Sequence, residues 1–480
     1  SNAILSLVNL KESKFLIKKI FGKKLAIVPY IMPGFQLAKL SYEIYNEDKD
    51  VEGMLLLNHG IFTFGESAKQ SYDRMIKYVT IAENYIKKNK KKYSIIKLKN
   101  LKTSNDIPVL CRKIFNQIDN NKWIIKLNSS IEDKEFTLRK DINILFNKGP
   151  VTPDHVIRIK SQPLIIPLKD LNKISLYSHN LKKLIINFCK NYNKYFLQFK
   201  KEVKNSKITD TLPRISILQG IGFLSIGRNS YEEKISKDIF NSMKQTILDS
   251  YKIGNFSSIS KKEIFKMEYW PLERAKLNNK KRNLLEGNIA LITGGGGTIG
   301  LAIAKKFLNE GLEVALFDKN FNYKNVSVTN ILNQCLCIEC DLTSDNQINK
   351  SVNNLINHFG GIDILVSNAG APFQGSIDTI DEKVIRDSFD INFYAHQKIT
   401  QKIVRIMKIQ NMGGSVMFNL SKQAINPGKD FGPYGIAKSS TLFLMKQYAL
   451  ELGKYNIRVN GINADRIQSG ILNNDLITKR

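Results

Sequence analysis

Cysteine is scarce: five residues in 480 cannot make a disulfide framework for so long a chain, so the expected location is a reducing cytoplasm. Long apolar runs are absent as well. No stretch approaches the ~18–20 consecutive apolar residues that cross a bilayer, and no basic-then-apolar leader opens the chain, so no membrane partner is expected. No internal repeat stands out. What is present is ordinary for a folded protein: 42% hydrophobic and 24% charged residues, with length for two or three domains, each with its own core.

Acidic residues are few beside basic ones, 43 against 73, for a formal charge of +30. A nucleic-acid partner would need that charge gathered in a stripe with a reading head. Here lysine is scattered among Asn and Ile, and the one dense run, from Lys87 to Lys92 with Lys97 and Lys99 beyond, follows a helical segment. A solvated surface explains it, and no nucleic-acid partner is expected.

Three segments follow one another. In residues 1–92, the run from Met54 to Gly65 reads as a buried strand, a tight Asn58-His59-Gly60 turn and a second strand, and Ser67 to Ile86 as a helix with Ala68, Tyr72, Met75 and Val79 on one face. Residues 93–280 alternate apolar patches with Lys/Asn-rich stretches. They include a strand entering a glycine turn at Pro213 to Gly222, helical patterns from Tyr231 to Tyr251, and a polar linker from Asn278 to Asn283. Residues 285–480 are clearest: strand-like runs at Ile289–Ile292, Val314–Phe317, Cys335–Cys340, Ile362–Val366, Ser415–Phe418 and Ile457–Ile462 alternate with helical stretches. That rhythm means repeated βαβ units and a doubly wound parallel sheet of the Rossmann type. The fold class is thus α/β throughout.

The first of those strands runs into Thr293, the glycines Gly294, Gly295, Gly296 and Gly297, then Thr298, Ile299 and Gly300, and on into a helix. Glycines let backbone approach a pyrophosphate, and a helix N-terminus offers amide donors and a favourable dipole. Asp318 closes the next strand, where a carboxylate accepts from the adenosine ribose hydroxyls and repels a 2′-phosphate, which favours NAD over NADP; Lys319 beside it weakens that preference. Asn368-Ala369-Gly370 closes the fourth strand and Ser421 the fifth. Tyr434 and Lys438 stand four apart on the helix after Gly432-Pro433, hence on one face.

Together these residues resemble the short-chain dehydrogenase/reductase family over about 290–465. The glycine loop, Asp318, Asp341-Leu342, Asn368-Ala369-Gly370, Asn392, Ser421, Tyr434 and Lys438 fall in its order, with Ser421 thirteen residues before Tyr434. The resemblance implies Tyr434 as acid/base, Lys438 holding the nicotinamide ribose and stabilising the phenolate, Ser421 orienting the substrate oxygen, Asn392 holding a water in the proton relay, and Asp341 and Leu342 at the adenine. Two departures stand out: Thr298 occupies the place of the family's second glycine, and the family continues past this chain's Arg480 into a further helix and strand.

The run Leu57 to Gly65 with Ala68 and Tyr72 resembles the class II (zinc) aldolase family, in which this histidine, His59, is one of three metal ligands. The other two form a His-x-His pair ahead of residues resembling Ser1 to Val8. The reading is therefore of a partial aldolase domain, with zinc expected only where those ligands are present. His155, His179, His358 and His396 lie in other segments and do not supply the spacing. Pro29 to Phe35, Thr152-Pro153-Asp154-His155, Met267 to Glu273 and Asn463 to Ile467 resemble the bifunctional aldolase/short-chain dehydrogenase proteins, related to rhamnulose-1-phosphate aldolase/lactaldehyde dehydrogenase fusions. That resemblance implies a zinc aldolase of (phosphorylated) deoxy-sugar metabolism whose hydroxyaldehyde product the dehydrogenase oxidises, a small sugar-derived substrate, and a homo-oligomer.

Cys335, Cys337 and Cys340 cannot converge on a metal from one strand, since Cys340 faces opposite to the others; core packing is expected. Asp154, His155 and Arg158 either grip a phosphate or anchor a loop. The competing reading of the whole is a non-catalytic dinucleotide-binding or scaffold protein with a degenerate aldolase domain, against which the complete Ser421/Tyr434/Lys438/Asn392 set argues.

Overall fold

The computed structural model describes residues 1–89, 91–96, 106–167, 174–277, 283–323 and 325–465; the linker expected at Asn278 to Asn283 falls almost wholly outside them. Contacts gather the chain into two compact units. One comprises 1–103, 128–226 and 234–280; the other comprises 104–127, 227–233 and 281–480.

The second unit carries a six-stranded sheet. Its strands, in chain order, are Ile289–Thr293, Glu313–Asp318, Leu336–Glu339, Ile364–Ser367, Gly414–Asn419 and Ile457–Ile462. In space they run third, second, first, fourth, fifth, sixth, and every neighbouring pair is parallel. This is the doubly wound arrangement expected, with its switch point between the first and fourth strands. The period of two sorts side chains onto two faces: Ile289, Leu291, Ala315 and Phe317 enter one core cluster, while Ala290, Ile292, Val314 and Leu316 enter another. The same alternation separates the cysteines. Cys335 and Cys337 pack on the second cluster, Cys340 belongs to the first, and all are free thiols.

The sequence groups 104–127 with a middle segment; the structure packs it with the dehydrogenase sheet. Its helix Ile107–Asp119 lies against helices Asp345–Phe359 and Ala395–Gln410, and Val109 and Ile124 enter the sheet's core. An ion pair explains the attachment. Arg112, fully buried, reaches Asp363 at 2.7 Å, and Lys122 reaches the same carboxylate at 2.6 Å. Arg112 also donates to the carbonyls of Trp123 and Gly287, and Asp363 accepts from the amide of Ile289 at 2.9 Å. Neither Arg112 nor Asp363 belongs to a sequence motif, so nothing local marks the pairing.

In the first unit, strands Leu25–Val28 and Gly53–Leu56 pair in parallel, and Gly60–Thr63 returns antiparallel through the turn at His59. Asn58, at φ +59°, takes the left-handed conformation that this turn needs. A second hairpin joins Ile215–Leu218 to Gly222–Gly227, and Leu164–Ile166 lies parallel to the former. Long helices Ala68–Lys88 and Ser230–Ile253 follow the two hairpins, and one hydrophobic core, with Phe136, Phe146, Phe223 and Phe240 at its centre, unites the unit. Among the described residues no helix is long and apolar enough to cross a membrane.

Candidate active site

At the switch point the first and fourth strands diverge at their carboxyl ends, and a crevice of about 760 Å³ opens between them. Thr293 ties its walls: the Oγ1 accepts from the amides of Asn368 at 2.9 Å and Ala369 at 3.1 Å. Asn368 in turn donates to the carbonyls of Thr293 and Gly294. A methyl group on Gly294 would lie 2.9 Å from the Ala369 Cα, and one on Gly300 would lie 2.3 Å from the Gly294 oxygen. These glycines therefore let the loop fold close against the opposite wall. Helix Thr298–Asn309 starts at the crevice mouth, and Thr298 is accommodated because it is exposed there.

The crevice is lined by Gly294, Gly297, Thr298, Ile299, Gly300, Asp318, Leu342, Asn368, Ala369, Gly370, Tyr434 and Lys438 among others. Two residues expected at the cofactor are not among them. Gly296 instead donates its amide to Asp318 Oδ2 at 2.8 Å, fixing the carboxylate's direction. Asp341 pairs with Lys319 at 3.0 Å and accepts from the hydroxyl of Thr343, while Leu342 lines the crevice.

Tyr434 and Lys438 stand near the start of helix Gly432–Leu452, with the lysine Nζ 5.8 Å from the phenol ring centre. Burial pushes the phenol's pKa up, and Ser421 acts the other way. Lys438 is 2% exposed, and its desolvation brings its pKa down to about 8. A Cβ on Gly370 would meet Asn392 Oδ1 at 2.9 Å and Lys438 Nζ at 3.5 Å, so this glycine makes room for the lysine. Asn392 sits in a π-helical turn, Asp390–Tyr394, a feature that recurs at functional sites. Its side chain accepts from the Ala371 amide at 3.2 Å and donates to the Ala371 carbonyl at 2.9 Å. An amide used at both ends for backbone holds the crevice wall.

Sequence reasoning missed His396, which lies behind the lysine; its Nε2 is 3.4 Å from Lys438 Nζ. A histidine of unmarked spacing inside an amphipathic helix gives no signal that separates it from core.

In the first unit, His59 is exposed at its turn, and among the described residues no group of three His, Cys, Asp or Glu could hold a metal ion. The residues present do not fit a zinc site. The motif residues of that unit do converge. Met32, Val156 and Trp270 share one apolar cluster, and Glu268, 2% exposed, accepts from Tyr192 at 2.6 Å with Lys160 at 4.0 Å. Arg158 donates to the Lys276 carbonyl at 3.1 Å.

The family models divide the chain into three successive stretches. The family model for short chain dehydrogenase matches residues 288–478, that for the class II aldolase and adducin N-terminal domain matches 4–86, and that for the aldolase class II second domain matches 102–277. The chain is 34% identical over 184 residues to dehydrogenase/reductase SDR family member 4 of Oryctolagus cuniculus, covering 38% of this chain and 70% of that one. Against the Homo sapiens counterpart the identity is also 34%, over 66% of its length. It is 32% identical over 181 residues to the 7alpha-hydroxysteroid dehydrogenase of Escherichia coli (strain K12), covering 37% of this chain and 70% of that protein. Similarity to the uncharacterized oxidoreductase YuxG of Bacillus subtilis (strain 168) runs through 98% of this chain and 70% of that one, at 26% identity. The chain belongs to the short-chain dehydrogenase/reductase family. With its class II aldolase domains placed ahead, it is an aldolase/short-chain dehydrogenase fusion.

Proposed function

We propose that this chain is an NAD-dependent dehydrogenase acting on a small hydroxyaldehyde or sugar-derived alcohol. The observation that carries the reading is one helix presenting the Tyr434 phenol and the Lys438 ammonium at a glycine-walled crevice, with Ser421 acting to lower the phenol's pKa. When bound, nicotinamide accepts or gives the hydride. The residues of this chain handle the proton. A phenol of ordinary pKa ~10 is a weak base near neutrality, and burial raises Tyr434 further. The Lys438 cation, in a site with little water, favours the phenolate, and Ser421 favours it by hydrogen bonding. In oxidation the Tyr434 oxygen takes the proton of the substrate hydroxyl, oriented by Ser421; in reduction the same oxygen returns it to the carbonyl.

NAD is favoured over NADP by charge. Asp318 is held at the crevice by the Gly296 amide, where it would repel a 2′-phosphate. The neighbouring cation, Lys319, is engaged by Asp341 at 3.0 Å, which diminishes its value to an anion. A small-molecule substrate, a cytoplasmic location and homo-oligomers remain parts of this proposal; exposed Phe443 and Leu450 on the Gly432–Leu452 helix favour the last.

The aldolase half extends the reading: cleavage of a (phosphorylated) deoxy-sugar would supply the hydroxyaldehyde. A cleavage assay of the purified chain, with the hydroxyaldehyde product coupled to cofactor reduction, tests it. The dehydrogenase is tested by following absorbance of the reduced cofactor with a panel of small hydroxyaldehydes, using NAD+ and NADP+ in parallel. Turnover with NAD+ at least tenfold more efficient than with NADP+ supports the reading; NADP+ preference overturns its cofactor half.

A further inference from the structure

His396 lies on helix Ala395–Gln410, one turn after Asn392, and its side chain is buried beneath the crevice at 1% exposure. Its Nδ1 is 2.7 Å from Ser367 Oγ, its Nε2 is 3.4 Å from Lys438 Nζ, and the Phe418 ring packs 6.0 Å away. Lys438 Nζ also donates to the Asn419 carbonyl at 3.0 Å.

We propose that His396 is a positioning residue for Lys438: a neutral ring protonated at Nδ1 accepts the ammonium's hydrogen bond through Nε2 and leaves the lysine's last N–H to the crevice. This rests on the dehydrogenase reading above and deepens it. An ammonium carries three donors and no acceptor. Asn419 and His396 take two from behind, and one remains for the nicotinamide ribose and the phenolate side. The tautomer follows from the same count. A proton on Nε2 would set N–H against N–H, so the ring proton belongs on Nδ1, with Ser367 Oγ as acceptor. A doubly protonated ring would place a second cation beside the first at a dry site.

Burial first, and the Lys438 charge second, hold His396 well below the ordinary histidine pKa, with only the Ala369 carbonyl acting the other way. Among the described residues the charge acting on the ring is that of Lys438, with Ser367, Phe418 and the Ala369 backbone beside it. Losing the Nε2 acceptor would leave a buried cation with one partner fewer and lower the lysine's proton affinity. Activity would then fall at a lower pH on the alkaline side.

The test has two arms on the full chain. In the first, nitrogen spectra of the labelled imidazoles, five in all, are recorded from pH 5.5 to 8.5, with Lys438→Met to assign the shift. The expected result is a neutral, Nδ1-protonated His396 throughout, which moves toward ordinary titration when the lysine charge is removed. In the second, pH profiles compare wild type, His396→Leu, His396→Gln and Ser367→Ala. His396→Leu is expected to lower kcat about tenfold, the loss of roughly one hydrogen bond to a charged group, and to move the alkaline limb down by about one pH unit with KM little changed. His396→Gln, whose amide oxygen can accept, restores most of both, and Ser367→Ala falls between. An Nε2-protonated or normally titrating His396 overturns the proposal, as does a folded His396→Leu with the wild-type profile; should that variant not fold, the spectra and Ser367→Ala decide. A wild type that turns over no NAD+ refutes the dehydrogenase reading instead, and the spectra still decide the contact.

Discussion

Asp363→Ala is the sharpest perturbation of the second unit. The carboxylate is 4% exposed and meets two cations, Arg112 at 2.7 Å and Lys122 at 2.6 Å, as well as the Ile289 amide at 2.9 Å. Removing it strands a fully buried guanidinium and leaves the first strand's leading amide without its acceptor. Breaking a buried pair from one side costs about 3–5 kcal/mol, enough to lower the melting temperature of a unit this size by about 10 °C. Trp123 reports the event directly: it is fully buried, and its carbonyl accepts from Arg112. The chain has two tryptophans, so a Trp270→Phe background isolates its fluorescence during urea unfolding. Acid should act alike. Although burial raises it, the two cations hold Asp363 down at about 2 from 3.8. Its folded pKa is thus below its unfolded one, so its stabilisation is full above about pH 4 and is lost as pH falls toward 2, about 2 kcal/mol in all. An Asp363→Ala unit within 1 kcal/mol of wild type would refute the reasoning, because a pair so enclosed cannot be replaced by water at no cost.

Gly300→Ala should abolish cofactor binding, because its Cβ would stand 2.3 Å from the Gly294 oxygen; titration of NADH fluorescence reads this. Asp318→Ser should improve NADP+ use relative to NAD+ by at least about tenfold, the value of one charge-assisted contact, measured as the ratio of kcat/KM. His59→Ala should leave oxidoreductase kcat within about twofold of wild type, since its exposed turn belongs to the other unit, as steady-state kinetics would show. With Lys438 near pKa 8, kcat for oxidation should fall above about pH 8 as the ammonium loses the charge that supports the phenolate; a profile still rising at pH 9.5 would contradict that.

The dehydrogenase fold was legible because its inner strands Ile289–Thr293 and Glu313–Asp318 carry continuous buried apolar runs, and several strands are followed by a residue with a chemical task. Val314 to Phe317 becomes the core of strand Glu313–Asp318, and Ile457–Ile462 matches residue for residue. Periodicity shows what is local. It could not show that Arg112 meets Asp363, 251 positions away, because that pairing is made by packing and leaves no trace in either neighbourhood. The site followed the same rule. Tyr434, Lys438 and Ser421 declare themselves by spacing and order, whereas the pairing of Asp341 with Lys319 and of the Asn392 amide with the Ala371 backbone leaves no sequence signal. His396 was silent because nothing about a histidine on a helix announces the lysine it faces.

The central claim is that the Tyr434 phenol carries the proton, and Tyr434→Phe tests it most directly. The variant keeps the ring, the helix and the crevice and removes one oxygen, so NADH binding should change little while NAD+ reduction with a hydroxyaldehyde falls by about 10²–10⁴. Rates equal to those of the parent chain, with the cofactor bound as before, would contradict the account.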